Sequence, residues 1–295
     1  MDSDFRYNYY NLDSIDSVHH WSSNWDQLPG LSYIPVITEL EDYLFDVLPA
    51  PVILKWLHRN FFITFYISIG YLLTILLLSY WMSYCEKSYK LRSLLILWNI
   101  LNAIFSIIAT IRMVPNFVYQ YKHKGLVATY CQSDYYRDYR LVLWYSLFCL
   151  SKIPELLDTV FIILRRSKLI KLHWIHHSLT LLYAYYLFMD IPGTAQWSFG
   201  LNVIVHSVMY TYYALMIMKL PLPRQVSMLI TTMQIIQMIL GLIINMHVLW
   251  RKLNQSQCDC SIQRVLVSLF IYTLFLALFL NYFYKTYIVK KRKVN

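Results

Sequence analysis

Three histidines lie close together in the middle of the chain, at His173, His176 and His177. On an α-helix this spacing places the three imidazoles on one face, within about 100° of the helix circumference. A fourth imidazole, His206, follows in a later apolar segment. Two to four imidazoles suffice for nucleophilic and acid–base catalysis, in which one ring attacks a carbonyl such as a thioester and another moves protons.

Polar side chains also interrupt the segment that precedes the histidines. Lys152, Glu155 and Asp158 fall within about 120° of one helical face, and Lys152 can pair with Glu155 one turn away. An ion pair that locks helices together and a substrate-binding site nearby both fit this spacing. Pro154 lies between the two charges, and because proline lacks a backbone N–H, we expect a kink there.

His206 belongs to a polar stripe on its own helix. Asn202, Met209 and Tyr213 share its face, and Tyr210 adjoins it. A stripe of methionine and tyrosine alone would indicate packing, whereas asparagine and histidine within it indicate a polar site.

The following apolar segment carries three polar side chains on one inward face, Thr231, Gln234 and Gln237. Glutamines can hydrogen-bond neighbouring helices, so structural bonding and substrate positioning explain them equally well. An ionisable side chain at mid-membrane costs about 2.5–3.5 kcal/mol on insertion scales. Charged residues and histidines in such segments are therefore candidates for function.

The segments that carry these residues have the composition of membrane-spanning helices. Of the 295 residues, 58% are hydrophobic and only 14% are charged, against about 25% charged in a typical soluble domain. Long uncharged runs predict an all-α, polytopic membrane protein with seven transmembrane helices. The predicted spans are 61–82, 94–111, 141–164, 172–189, 197–218, 226–249 and 265–284.

Charge is distributed unevenly between the two sides of this predicted topology. The net charge is +10. The charged residues before position 50 are nevertheless mostly acidic, whereas lysine and arginine are concentrated in alternate loops and in the tail. The positive-inside rule places the C-terminus in the cytosol and the N-terminus in a lumen. The predicted divisions are an acidic lumenal segment (1–60), a seven-helix membrane domain (61–289) and a basic cytosolic tail (290–295).

Three consequences follow from this charge pattern. Residues 1–46 lack a basic flank before an apolar core, so we expect no cleaved signal peptide and a retained first span. The basic loops are short, which argues against nucleic acid as a partner and favours an anionic substrate such as a coenzyme A ester. Lys291 and Lys293 have the spacing of an endoplasmic reticulum retrieval signal, although a simple basic flank explains them as well.

Three cysteines, Cys131, Cys258 and Cys260, fall in predicted lumenal loops, where disulfides persist. A bond between Cys131 and Cys258 is the favoured pairing, with Cys260 as the competing partner. The alternative is that all three are thiols.

Other chemistries remain open. A di-iron centre needs more ligands than the four histidines at the right depth supply, although four imidazoles can hold one zinc. We expect a metal-free site without a cofactor. Cys149 lies one turn before Lys152 on the same face and offers a thiol nucleophile. A seven-span receptor or transporter is the non-enzymatic alternative.

Four motifs in order carry a family resemblance. They are KxxExxDT (152–159), HxxHH (173–177), NxxxHxxMYxYY (202–213) and TxxQxxQ (231–237). In this order and spacing they resemble the very-long-chain fatty acid elongase (ELO) family of 3-ketoacyl-CoA synthases. The resemblance extends from about residue 61 to the C-terminus, so that residues 1–60 are assigned no role.

The resemblance implies a fold and a reaction. Six or more of the helices would form a barrel around a buried acyl tunnel in the endoplasmic reticulum membrane. The enzyme would condense acyl-CoA with malonyl-CoA, giving 3-oxoacyl-CoA, carbon dioxide and coenzyme A. His176 would take the acyl group, His206 would assist, and His173 and His177 would position groups or move protons.

The resemblance also implies substrate contacts and partners. The side chains implied to bind or order the substrates are Lys152, Glu155, Asp158, Asn202, Tyr210, Tyr213, Gln234 and Gln237. The Cys131–Cys258 bridge matches the family pattern. With Trp174 inside its histidine motif, the sequence is similar to the branch of the family that elongates saturated and monounsaturated chains near sixteen carbons. Implied partners are the downstream 3-ketoacyl-CoA reductase, dehydratase and enoyl reductase, and a second copy of the chain in a homodimer.

Overall fold

The computed structural model describes residues 35–47 and 59–289 except residue 190, together with positions 52 and 56. Residues 1–34 of the predicted lumenal segment and the predicted tail at 290–295 lie outside the described residues. The regular structure in the described ranges is helical. The α-helices are α1 (Pro35–Val47), α2 (Phe61–Tyr84), α3 (Arg92–Lys124), α4 (Ala128–Cys131), α5 (Tyr139–Ser151), α6 (Leu157–Leu164), α7 (Lys171–Phe188), α8 (Ala195–Ile217), α9 (Arg224–Leu253) and α10 (Ile262–Phe283). Two 3₁₀ turns (Asp134–Arg137 and Pro154–Leu156) and a π-helical turn (Tyr284–Val289) complete them.

Five of these helices are long and apolar enough to cross a bilayer, namely α2, α3, α8, α9 and α10 with its π-helical continuation. The prediction of an all-α, multi-pass membrane protein is thereby confirmed. The observed bounds of these helices lie within a few residues of the predicted spans, except that α3 continues to Lys124, well beyond residue 111. The other two predicted spans correspond to shorter helices, α5 with α6, and α7.

The prediction of one continuous helix over 141–164 is wrong, because the helix is interrupted at its centre. Pro154 has no N–H with which to continue the α-helical ladder, and the backbone tightens into i→i+3 bonds such as Ile153 N to Leu150 O, at 3.1 Å. Residues three apart eclipse one another in a 3₁₀ turn. The interruption therefore places Lys152 directly against Glu155.

Six of the helices that follow α2 contact one another in a closed cycle. α3 packs on α8, α8 on α9, α9 on α10, α10 on α7, α7 on α5, and α5 on α3. Stacked aromatic rings fill part of its interior, with ring centroids 4.4 Å apart for Phe148 and Phe199, and 6.0 Å apart for Tyr145 and Phe188. The helix α2 lies outside the cycle and packs on α6 and α7.

Three connecting segments meet at one end of the domain. Cys131 and Cys258 form a disulfide there, with Cα atoms 4.4 Å apart, and Cys260 is buried outside this bond. The Asp259 N–H donates to the Cys131 carbonyl at 2.7 Å. A Cβ at Gly193 would overlap the backbone of Cys131, which explains a glycine at this close approach. This disulfide end contains the start of α8 and the C-terminus of α7.

The helix α1 attaches to the same domain through a buried carboxylate. Glu41 accepts hydrogen bonds from Arg112 Nε and Trp144 Nε1, both at 2.6 Å, and Arg140 Nε lies 3.7 Å from its other oxygen. The side chains of Glu41, Arg112 and Arg140 are each at most 1% exposed. Buried guanidinium groups need an opposite charge, so α1 completes an ionic cluster whose arginines belong to α3 and α5.

We expect Glu41→Gln to lower the stability of the purified protein, because it removes the charge that two buried guanidinium groups face. Breaking a buried ion pair costs about 3–5 kcal/mol. Thermal unfolding in detergent, followed by tryptophan fluorescence, measures the loss. The control is Glu39→Gln, since Glu39 is exposed on the same helix. Equal unfolding midpoints for the two variants would contradict this account of α1.

Candidate active site

The helix α7 presents its three histidines together inside the domain. Ring centroids are 4.3 Å apart for His173 and His177, and 5.8 Å apart for His176 and His177. His176 also packs against Phe275 of α10, at 4.6 Å between centroids. Within the described part of the chain, His176 Nδ1 and His173 Nε2 are buried without a hydrogen-bond partner. Of the two rings, His176 lines an interior cavity, so its Nδ1 is available to a bound molecule.

The Lys152 ammonium group has its partners inside the domain. Its Nζ donates to Glu155 Oε1 at 2.7 Å and to Asn202 Oδ1 at 3.1 Å, and it lies 4.1 Å from the centroid of the Phe148 ring. His206 Nδ1 is 3.9 Å from the same Glu155 oxygen. The ion pair thus connects the interruption after α5 to two polar residues of α8, and fixes where His206 lies.

Asp158 connects three helices. Its two carboxylate oxygens accept from Trp98 Nε1 of α3 at 2.5 Å and from the Tyr210 hydroxyl of α8 at 2.9 Å. The Tyr210 ring lies 5.4 Å from the ring of His206. Asp158 and Tyr210, both predicted to bind substrate, are thus bonded to each other, and the Tyr210 ring packs against His206.

The remaining predicted contacts separate into two groups. Gln237 is buried and faces the same interior space as His176, whereas Gln234 Nε2 donates to Met209 Sδ at 3.4 Å. Tyr213 is 43% exposed and does not line the space beside His176, but it lies near enough to interact electrostatically with Asp158. Its predicted role in substrate binding stays a prediction.

A narrow cavity opens beside His176. His176, Asn202 and Gln237 line one end of it, and Tyr183, Ser198 and Tyr272 line the other, toward the disulfide end. Aromatic and aliphatic side chains of α5, α7, α8, α9 and α10 form the walls between them. His206 and Lys152 lie near enough to interact electrostatically with His176. The space therefore has a polar, histidine-bearing end and a largely apolar body.

The structure also describes the surroundings of Cys149 and the side chains that could hold a metal ion. The Cys149 thiol has no exposed surface, donates to the Ala184 carbonyl at 3.6 Å, and does not line the cavity. Among the described residues, no group of three or more histidine, cysteine, aspartate or glutamate side chains is arranged to hold a metal ion.

Several residues of the site were not predicted from the sequence. Thr180 and Tyr183 follow His176 at i+4 and i+7 and line the same cavity, so the helical period contained a signal for both. Trp98 and Tyr272 come from helices without a polar stripe toward the site. Nothing in their local sequence marks them.

Clustered histidines beside a largely apolar cavity in a multi-pass helical membrane protein fit the class of intramembrane enzymes that act on lipid chains. Residues 56–295 match the sequence model of the family described as "ELO: GNS1/SUR4 family". The chain is 38% identical over 237 residues to "Very long chain fatty acid elongase 6" of Drosophila melanogaster, covering 79% of this chain and 75% of that protein.

Two further relatives agree. The chain is 37% identical over 242 residues to "Very long chain fatty acid elongase 6" of Homo sapiens, covering 82% of this chain and 91% of that protein. It is 37% identical over 232 residues to "Long chain fatty acid elongase 2" of Caenorhabditis elegans, covering 78% and 84%. The chain therefore belongs to the ELO family. It is a fatty acid elongase, the condensing enzyme of the very-long-chain 3-oxoacyl-CoA synthase class.

The Lys152–Glu155 pair allows stability and activity to be separated. Lys152→Met leaves a buried carboxylate without its cation, so we expect a loss of about 3–5 kcal/mol. Removing both charges in Lys152→Met/Glu155→Leu should restore most of the thermal stability. Condensing activity should stay low in both variants, because the double variant still lacks the groups that hold Asn202 and His206. Recovery of activity along with stability would show that the pair is structural only.

Proposed function

We propose that the enzyme condenses an acyl-CoA with malonyl-CoA through an acyl-imidazole intermediate on His176. The observation that carries this proposal is the position of His176: it is the histidine that lines the cavity, at the polar end of an otherwise apolar space. An acyl chain in the cavity would bring its thioester to this ring. Cys149 lacks that position, since its thiol is enclosed by packing.

In the first half-reaction, an unprotonated nitrogen of His176 attacks the thioester carbonyl carbon. The carbon–sulfur bond breaks, and coenzyme A leaves as a thiolate that takes up a proton. The oxyanion that forms on the way needs hydrogen-bond donors. Asn202 and Gln237, which line the same end of the cavity, carry amide N–H groups suited to this role.

In the second half-reaction, the carboxylate of malonyl-CoA departs as carbon dioxide, and its electron pair forms an enolate. The enolate carbon attacks the acyl-imidazole carbonyl, and the carbon–nitrogen bond to His176 breaks. The products are 3-oxoacyl-CoA and free imidazole. Lys152 donates to Asn202, which lines this space, and Lys152 and His206 both interact electrostatically with His176, so we assign them to stabilising the enolate charge. The coenzyme A thiol keeps the proton that the other ring nitrogen of His176 gave up on acylation, and the departing imidazolate takes up the one proton that the overall reaction consumes.

We infer that the chain crosses the membrane seven times, with α5–α6 and α7 as spans in addition to the five apolar helices. The closed cycle of contacts from α3 to α10 supports a six-helix barrel around the acyl chain. Exposed Lys168 and Lys171 directly precede His173, and we propose that they belong to a basic rim at the polar end. A coenzyme A head group bound at that rim would lie on the cytosolic side, opposite the disulfide end.

The relatives support the acyl-chain range that we propose, and the charge pattern supports the membrane in which we place the enzyme. Two of the relatives described above are named very long chain fatty acid elongase 6, and Trp174 agrees with that branch, which favours saturated and monounsaturated chains near sixteen carbons. The 3-oxo product requires a reductase, then a dehydratase and an enoyl reductase, as consecutive partners. We place the enzyme in the endoplasmic reticulum membrane, with a homodimer as the proposed assembly.

Acylation of the enzyme tests the intermediate. Purified protein given acyl-CoA without malonyl-CoA should gain the mass of one acyl group on the peptide that contains His176. His176→Ala should abolish both this adduct and condensation. Cys149→Ala should keep both, because its thiol lies outside the cavity. Acylation that survives in His176→Ala and disappears in Cys149→Ala would establish the thiol mechanism instead, and stoichiometric iron or zinc in pure protein would favour the metal alternative.

The proposed orientation of the two termini across the membrane has a separate test. An epitope added after Asn295 should bind antibody in cells whose plasma membrane alone is permeabilised, because the basic rim and the tail share the cytosolic side. An epitope ahead of Met1 should require permeabilisation of the internal membranes as well. The reverse pattern would contradict the proposed topology.

A further inference from the structure

The cavity beside His176 runs along one stripe of α7. His176, Thr180, Tyr183 and Ala184 line it at positions i, i+4, i+7 and i+8. From His176 to Tyr183 the helix rises about 10.5 Å. An extended chain of single bonds advances about 1.2 Å per bond, so this length holds roughly nine carbon–carbon bonds.

Two tyrosines close the far end of this stretch. The Tyr183 hydroxyl donates to Ser268 Oγ of α10, and the Tyr272 hydroxyl of α10 donates to Ser198 Oγ of α8, each at 2.9 Å. Their rings meet edge to face, with centroids 6.1 Å apart and planes at 79°. The exposed fractions of Tyr183 and Tyr272 are only 8% and 5%. Side chains from three helices therefore form one hydrogen-bonded barrier across the cavity.

Gly241 of α9 holds one side of the barrier in place. A Cβ at this position would overlap the Tyr272 ring at three of its carbon atoms. The ring thus occupies the space that the glycine leaves between α9 and the cavity. Any side chain at residue 241 would push the ring away from α9 and into the cavity.

The helix α7 continues beyond the barrier to Phe188. From His176 to Phe188 it rises about 18 Å, which corresponds to roughly fifteen single bonds. A sixteen-carbon acyl chain attached at His176 would therefore reach the end of the helix only if it passed the tyrosines. A chain of about ten carbons would end in front of them.

We propose that Tyr183 and Tyr272 are specificity-determining residues, which form a displaceable barrier that discriminates acyl chains longer than about ten carbons from shorter ones. This inference rests on the proposed function, since it takes His176 as the point of attachment. A longer chain has to separate the tyrosine hydroxyls from their serine partners. Each lost hydrogen bond between neutral groups changes an equilibrium by roughly two- to tenfold. The barrier therefore lowers the turnover of long acyl chains relative to short ones and does not exclude them.

The test measures condensation of ten-carbon and sixteen-carbon acyl-CoA with malonyl-CoA by the full-length protein in detergent or lipid. Tyr272→Phe should raise the ratio of sixteen- to ten-carbon turnover by roughly two- to tenfold, because one barrier hydrogen bond is gone. Ser198→Ala removes the same bond from the other side and should raise the ratio similarly. Gly241→Ala should lower the ratio, because it drives the Tyr272 ring into the path of the chain.

Matched controls come from the same chain. Tyr185→Phe makes the same chemical change on α7 at a tyrosine that does not line the cavity, and Gly70→Ala adds a methyl group where no atom lies within 4 Å. Both should leave the ratio unchanged. If Tyr272→Phe and Ser198→Ala keep ten-carbon turnover and the wild-type ratio, the barrier proposal is overturned while the condensation function stands. Adduct formation without His176 would instead overturn the proposed function itself.

Discussion

An ammonium group and a carboxylate buried together inside the helical domain set a constraint that apolar contacts cannot set. Lys152 and Glu155 lie 2.7 Å apart, both nearly without exposed surface. Charges in such a setting are stable only when paired and hydrogen-bonded. Asn202 supplies the further acceptor, and its helix α8 therefore has to lie at a fixed depth and rotation against α5. His206, one turn along α8, is positioned by the same requirement.

At two other places a cluster of polar side chains also holds three helices together. Asp158 joins α6 to Trp98 and Tyr210, and Glu41 joins α1 to arginines of α3 and α5. In a membrane, lipid competes equally for apolar surface, so helix association depends on packing and on polar contacts of this kind. Apolar side chains fill the volume between helices, whereas the polar clusters decide which faces meet.

This division explains what the sequence could and could not predict. The spacing of His173, His176 and His177 is a local property of one helix, and their common face followed from it. The missing N–H of Pro154 predicted a kink within the span 141–164, but not that the helix would be interrupted there by a 3₁₀ turn, which depends on which carbonyls lose a donor. Trp98 shares no motif with Asp158, and only the packing of α3 against α6 joins them. Tyr213 follows the family spacing, yet it does not line the cavity beside His176.

A reactive acyl group on an imidazole would be hydrolysed wherever water reaches it, so closure of the cavity matters as much as the histidines themselves. At the far end, hydroxyls that bond to serines satisfy their own polar atoms and present ring surfaces to the chain. At the near end, the Lys152–Glu155–Asn202 contacts leave no charge in need of solvent. Lys152, Glu155 and Asn202 are thus bonded to one another, while His176 Nδ1 keeps no partner within the protein and stays open to a bound molecule. A cavity built in this way can hold an apolar chain and a charged reaction centre together, because hydrogen bonds within the protein take the place of a solvent shell.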